Sequence, residues 1–138
     1  MILPDERYRR GVEILQRLSG DGPEQTANRV AEIAPDFARM TIEFPLGDLY
    51  SRGVLDLRTR EIAAIAVLAA LGRIPQLRIH VGAALRVGCT CEEVVEVLMQ
   101  TAIYAGFPAA LTALSECHDL LTHPESSSEA PAAMLEAR

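Results

Sequence analysis

Residues 56–71 read DLRTREIAAIAVLAAL, and this stretch decides the fold. Asp56 is suited to cap a helix, residues 57–61 are a polar entry, and residues 62–71 are an uninterrupted apolar run. The run is too long for a buried strand and has no two-residue alternation, so it predicts a helix. A helix apolar on every side belongs at the centre of a helical protein. Gly72 ends it, and Pro75 suits the first turn of the next helix, which carries Leu77, Val81, Ala84 and Leu85 as far as Gly88. The two form a helical hairpin.

Outward from the hairpin the same grammar continues. Thr90-Cys91-Glu92-Glu93 matches a capping box, in which the Thr90 and Glu93 side chains each satisfy the other residue's backbone N–H. The helix that follows points Val94, Leu98 and Ala102 inward and Glu92, Glu96 and Gln100 outward, then stops at Gly106-Phe107-Pro108. Pro108 restarts a last helix to about Leu121. Upstream, residues 4–18 carry Tyr8, Val12, Leu15 and Leu18 at three- and four-residue spacing, and a second helix spans about residues 23–33. A further segment after Pro35 carries Phe37, Met40, Thr41 and Phe44 until Pro45 and Gly47 interrupt it. No stretch reads as a strand, so the class is all-α. From His123 the composition turns to Pro, Ser, Glu and Ala, which predicts a helical domain over residues 1–122 and a disordered tail over 123–138.

Composition narrows the function. The chain has 138 residues, 49% of them hydrophobic but only 4% aromatic and none Trp, so its core is built from Ala, Leu, Ile and Val, as in close-packed helices. A net charge of −6 with no offsetting Lys/Arg cluster repels phosphate backbones and excludes nucleic acid as the expected partner. Pro4, Asp5 and Glu6 come too early for a signal peptide, and no apolar run approaches the roughly 18 residues of a membrane span. The expectation is a cytoplasmic protein without a membrane partner. Three cysteines, an odd number, then read as reduced thiols. His118 beside Cys117, and His123 five residues on, lack the four-residue spacing of paired ligands on one helix face, so no metal site is expected.

Four stretches carry a family likeness: Leu57-Arg58-Thr59-Arg60-Glu61, Leu77-Arg78-Ile79-His80, Gly88-Cys89-Thr90-Cys91-Glu92-Glu93, and residues 100–110, QTAIYAGFPAA. In order and spacing they resemble the carboxymuconolactone decarboxylase family. Arg7-Tyr8 with Gly11, and residues 47–56, GDLYSRGVLD, look like its decarboxylase branch. The resemblance implies an AhpD-like helical bundle and a homo-oligomer, trimer or hexamer, with sites near subunit contacts. The family's peroxidase-like branch uses a Glu-x11-Cys-x2-Cys-x3-His relay. Counted from Glu61, its positions fall on Arg73, Gln76 and His80, so the acid and the histidine remain while both thiols are absent. One thiolate must attack a peroxide and a second must resolve it, and Arg and Gln do neither. Cys89 and Cys91 lie in a different element and do not restore the relay.

The decarboxylase branch implies loss of carbon dioxide from a butenolide dicarboxylate whose ring double bond and lactone carbonyl accept the electrons, a reaction that needs no cofactor. The protein must anchor carboxylates, stabilise a dienolate oxygen and deliver a proton to carbon. His80 is the candidate proton donor, with Ala83, Ala84 and Val87 on its helix face; the alternative is a structural histidine bonded to a backbone carbonyl. Glu61 suits proton transfer or the orientation of His80, or merely compensates a helix dipole in the first turn. Arg58, Arg60, Arg73 and Arg78 are guanidinium candidates for carboxylate binding, Arg58 and Arg73 being preferred because the branch carries arginine there. Tyr104 and Tyr50 are candidate phenolic donors to a substrate oxygen, or core tyrosines.

Two departures bear on the substrate. The branch's Tyr-Cys-Gly is Tyr104-Ala105-Gly106 here, and its Trp-Gly-x-x-Trp is Leu46-Gly47-Asp48-Leu49-Tyr50. Pocket walls set which acid fits. Rival readings are another acid/base reaction on the same scaffold, such as a cyclisation, isomerisation or dehydration in secondary metabolism, and a non-catalytic helical assembly protein.

Overall fold

The computed structural model describes residues 4–19 and 22–124, side chains excepted at Pro4 and 22–27. The expected disordered tail lies, from residue 125 on, outside the described residues. Every regular element among the described residues is helical, as expected, and no helix is long and apolar enough to cross a membrane. The chain divides after Leu57 into two compact units.

The N-terminal unit holds α1 (Pro4–Leu18), α2 (Gly22–Ile33), α3 (Pro35–Ile42) and a π-helical segment, Glu43–Tyr50. The expected interruption at Pro45 and Gly47 does not occur. In an α-helix the Pro45 ring would collide with the carbonyl four residues back; here α3 ends at Ile42 and the wider π turn takes over, closing with the Ser51 N–H to Leu46 carbonyl bond of 3.2 Å. Gly47 is there for proximity: a Cβ on it would stand 2.3 Å from the Arg7 carbonyl oxygen of α1. Arg7 Nε donates to both Asp48 carboxylate oxygens at 3.0 Å, and Arg10 Nε donates to the Gly47 carbonyl at 3.1 Å, fastening α1 to the π segment.

The second unit holds α4 (Leu57–Leu71), α5 (Ile74–Arg86), α6 (Cys91–Ala105), α7 (Phe107–Glu116) and α8 (His118–Thr122). Its core is one cluster: Ile65 and Ala69 from α4, Leu77, Val81 and Ala84 from α5, Val94 and Leu98 from α6, Ala113 from α7, with Cys89 and Cys117. Gly72 closes α4 in the left-handed region at φ 69°, and Pro75 lies in the first turn of α5, so the hairpin turns where the sequence predicts. The Thr90–Glu93 capping box is present in full.

Two details differ from the sequence reading. Helix α4 buries one stripe, Glu61, Ile65 and Ala69, while Val67 and Leu71 are more than half exposed, so its apolar sequence serves two surfaces and only one is filled within the chain. The last helix breaks at Cys117, where the Glu116 carbonyl accepts from the Arg78 guanidinium, which also grips Asp119 at 2.7 and 2.8 Å.

Candidate active site

Glu61 stands one turn into α4 and His80 midway along α5, and the tight turn at Gly72–Arg73 folds one helix back on the other so that the two side chains meet. His80 Nδ1 and Glu61 Oε2 are 2.7 Å apart. Glu61 is fully buried, and its other oxygen, Oε1, has no hydrogen-bond partner among the described residues. The His80 side chain keeps 31% exposure. With Nδ1 engaged by Glu61, Nε2 on the far edge of the ring lies outside that bond. Ala83 and Ala84, one turn on in α5, are buried.

This arrangement can hold and move a proton. A buried acid that bonds Nδ1 orients the imidazole, while Nε2 can donate to or accept from a substrate. The alternative of a histidine bonded to a backbone carbonyl is not what the structure contains at Nδ1.

Arg58 lies three residues before Glu61, on the same face of α4. Its guanidinium donates through Nη2 to Glu93 Oε1, while Glu93 Oε2 accepts from the Thr90 N–H at 2.9 Å. The cap N–H first, and Arg58 next, hold the Glu93 carboxyl below the usual carboxylate range. Sequence reasoning missed this second use of Glu93: the partners are 35 residues apart, and the capping box alone already accounts for a Glu there. Arg73 is the N-cap residue of α5, exposed, and seven residues before His80. Gln76 lies between them. Arg78 is taken up by Asp119 and the Glu116 carbonyl, as Arg58 is by Glu93.

The tyrosines do not join this group within the second unit. Tyr104 is 83% exposed, at a shallow cavity of about 210 Å³ lined also by Ala66, Val67 and Ala70. Those three α4 residues face away from the Glu61 stripe, so Tyr104 opens away from His80 within one chain. Tyr50, half-buried, ends the π segment of the N-terminal unit. Of the thiols, Cys117 is buried and pushed up to about 11 by burial, which makes it inert, while Cys89 and Cys91 border a separate cavity of about 320 Å³ beside Arg86.

The sequence model of the carboxymuconolactone decarboxylase family matches residues 35–119, a span that includes Arg58, Glu61, Arg73, His80 and Tyr104. The chain belongs to the carboxymuconolactone decarboxylase family. Two relatives add detail. The chain is 35% identical over 114 residues to a 4-carboxymuconolactone decarboxylase of Acinetobacter baylyi, covering 80% of this chain and 83% of that one. It is 36% identical over 86 residues to an uncharacterized 15.0 kDa protein from the nqo9–nqo10 intergenic region of Paracoccus denitrificans, covering 60% and 63%. For a member of the carboxymuconolactone decarboxylase family, this chain keeps the acid–histidine pair and carries Arg73 and Gln76 at the two relay positions between them.

Proposed function

We propose that this chain is a cofactor-independent decarboxylase of the 4-carboxymuconolactone type, a cytoplasmic homo-oligomer acting on a lactone carboxylate in the catabolism of aromatic compounds. The observation that carries the reading is the 2.7 Å bond between His80 Nδ1 and a fully buried Glu61 in a chain of this family.

The substrate's carbon–carboxylate bond breaks, carbon dioxide leaves, and the electron pair moves into the ring double bond conjugated with the lactone carbonyl. The resulting dienolate takes a proton at carbon from Nε2 of the His80 imidazolium, whose Nδ1–H stays bonded to Glu61 and whose lost proton returns from solvent. Arg58, on the same face of α4 as Glu61, and Arg73, at the start of the helix that carries His80, anchor the carboxylates. Self-association is supported by the open apolar side of the second unit, where Val67, Leu71, Ile103, Phe107 and Leu111 are each more than half exposed. Tyr104 lies on that side and reaches a site at a contact between copies; Tyr50 is the second phenolic donor.

The test is turnover of 4-carboxymuconolactone in deuterium oxide, followed by carbon dioxide release and NMR of the enol-lactone product. The expected result is release of one carbon dioxide per lactone, one deuterium placed on carbon, and a loss of about 10²–10⁴-fold in kcat for His80→Gln. Lactone consumed without carbon dioxide would favour a cyclisation, isomerisation or dehydration instead. Wild-type kcat in the His80→Gln variant would overturn the site.

A further inference from the structure

We infer that Glu93 is a positioning residue for substrate binding, a fixed carboxylate that aims the Arg58 guanidinium alongside the Glu61–His80 pair. The inference rests on the reading of Arg58 as a carboxylate anchor and adds to it a residue that touches no substrate.

The case begins with what a capping box requires. It needs one acceptor oxygen from the residue at the third helical position, and Gln supplies that as well as Glu. Glu93 does more. Its Oε2 is held by the Thr90 N–H at 2.9 Å, and its own N–H donates to Thr90 Oγ1 at 3.1 Å, so both its backbone and its carboxylate are pinned. Its Oε1 then takes the Arg58 guanidinium from a helix 35 residues earlier in the chain. Arg58 is tied to the same segment a second time, since the Cys89 thiol, one residue before the cap, lies 3.9 Å from the Arg58 carbonyl and donates to it. Backbone and guanidinium of one arginine are thus both referenced to residues 89–93.

Stability alone accounts poorly for this arrangement. The Arg58 and Glu93 side chains are 39% and 41% exposed, and ion pairs that open to water contribute little to folding. What a fixed counter-charge does for an exposed arginine is remove rotamers. A guanidinium has five N–H donors in a rigid planar fork, so a carboxylate that holds Nη2 fixes the plane in which the other donors lie. Arg58 shares its face of α4 with Glu61, three residues on, which holds His80. A carboxylate met by Arg58 therefore arrives beside the proton-transfer pair, with the cost of ordering the arginine already met.

Steady-state kinetics on 4-carboxymuconolactone with Glu93→Gln, Arg58→Gln and the double variant test this, with melting temperatures measured alongside. Glu93→Gln retains the cap acceptor and loses the charge. It is expected to raise KM about fivefold, the effect of ordering one long side chain, with kcat within about twofold and an unchanged melting temperature. Arg58→Gln raises KM further, and adding Glu93→Gln to it changes nothing more, because the two act through one contact. An unchanged KM for Glu93→Gln while Arg58→Gln raises it would overturn the inference alone. So would an equal factor from Glu93→Gln in the presence and absence of Arg58. An unchanged KM for Arg58→Gln would overturn the anchor reading and the inference together.

Discussion

Replacing His80 with leucine removes the one hydrogen-bond partner that the Glu61 carboxyl has among the described residues. Glu61 is fully buried, its Oε1 already lacks a hydrogen bond among those residues, and Oε2 depends on His80 Nδ1 at 2.7 Å. Breaking a buried pair from one side leaves an uncompensated polar group, which costs about 3–5 kcal/mol for a fully buried charge and about 1–3 kcal/mol for a neutral acceptor. Because His80 is partly open, with 31% of its side chain exposed, water enters where the ring leaves, and the lower part of that range, about 3 kcal/mol, is expected. With a urea m-value of about 2 kcal/mol/M the unfolding midpoint falls by about 1.5 M. The double variant His80→Leu/Glu61→Leu, which replaces the pair by apolar groups, recovers most of that loss. On the proposed function, both variants are expected to lose lactone decarboxylation. Urea unfolding followed by circular dichroism, at one fixed protein concentration so that self-association is constant, measures each midpoint. A double variant as unstable as His80→Leu alone, or a single variant within about 0.5 kcal/mol of wild type, would refute the reasoning.

Other perturbations separate local effects. Gly47→Ala places a methyl 2.3 Å from the Arg7 carbonyl and is expected to destabilise by about 2–3 kcal/mol, whereas Gly72→Ala, at φ 69° with open space around it, costs about 1 kcal/mol of backbone strain; thermal melts compare them. The Arg78 guanidinium holds the Asp119 carboxyl down to about 2. A depressed folded value stabilises above the unfolded value near 3.9 and is lost as pH falls through about 2, so Asp119→Asn should remove about 0.5 kcal/mol of acid dependence in that window, small because the pair is solvent-screened. An acid titration monitored at 222 nm checks this. Ile103→Glu, on the open apolar side at 74% exposure, should shift sedimentation to a smaller species without loss of helix content.

Helices were legible wherever one residue's chemistry decides a boundary. Gly72 and Pro75 mark the hairpin turn, and Thr90 with Glu93 marks the start of α6, because caps and breakers act within a few residues. The π segment was not legible. Pro45 and Gly47 read as breakers on local rules, while the close approach of α1 at Gly47 and the Arg7–Asp48 bonds draw on residues about forty positions away. The break at Cys117 is of the same kind, met by an arginine on α5.

For the candidate site the division runs along the same line. The sequence determined the residue types: the family resemblance marked an acid and a histidine at relay spacing with no thiol between them, and the order of the residues put arginines around the hairpin. Only the tertiary structure decided who meets whom. It paired His80 with Glu61, gave Arg58 to Glu93 and Arg78 to Asp119, and turned Tyr104 away on the far side of α4. Those outcomes depend on how the hairpin closes and how α4 rotates against α5 and α6, and that packing is fixed by the filled stripe of Ile65, Ala69, Leu77, Val81, Val94 and Leu98 acting together.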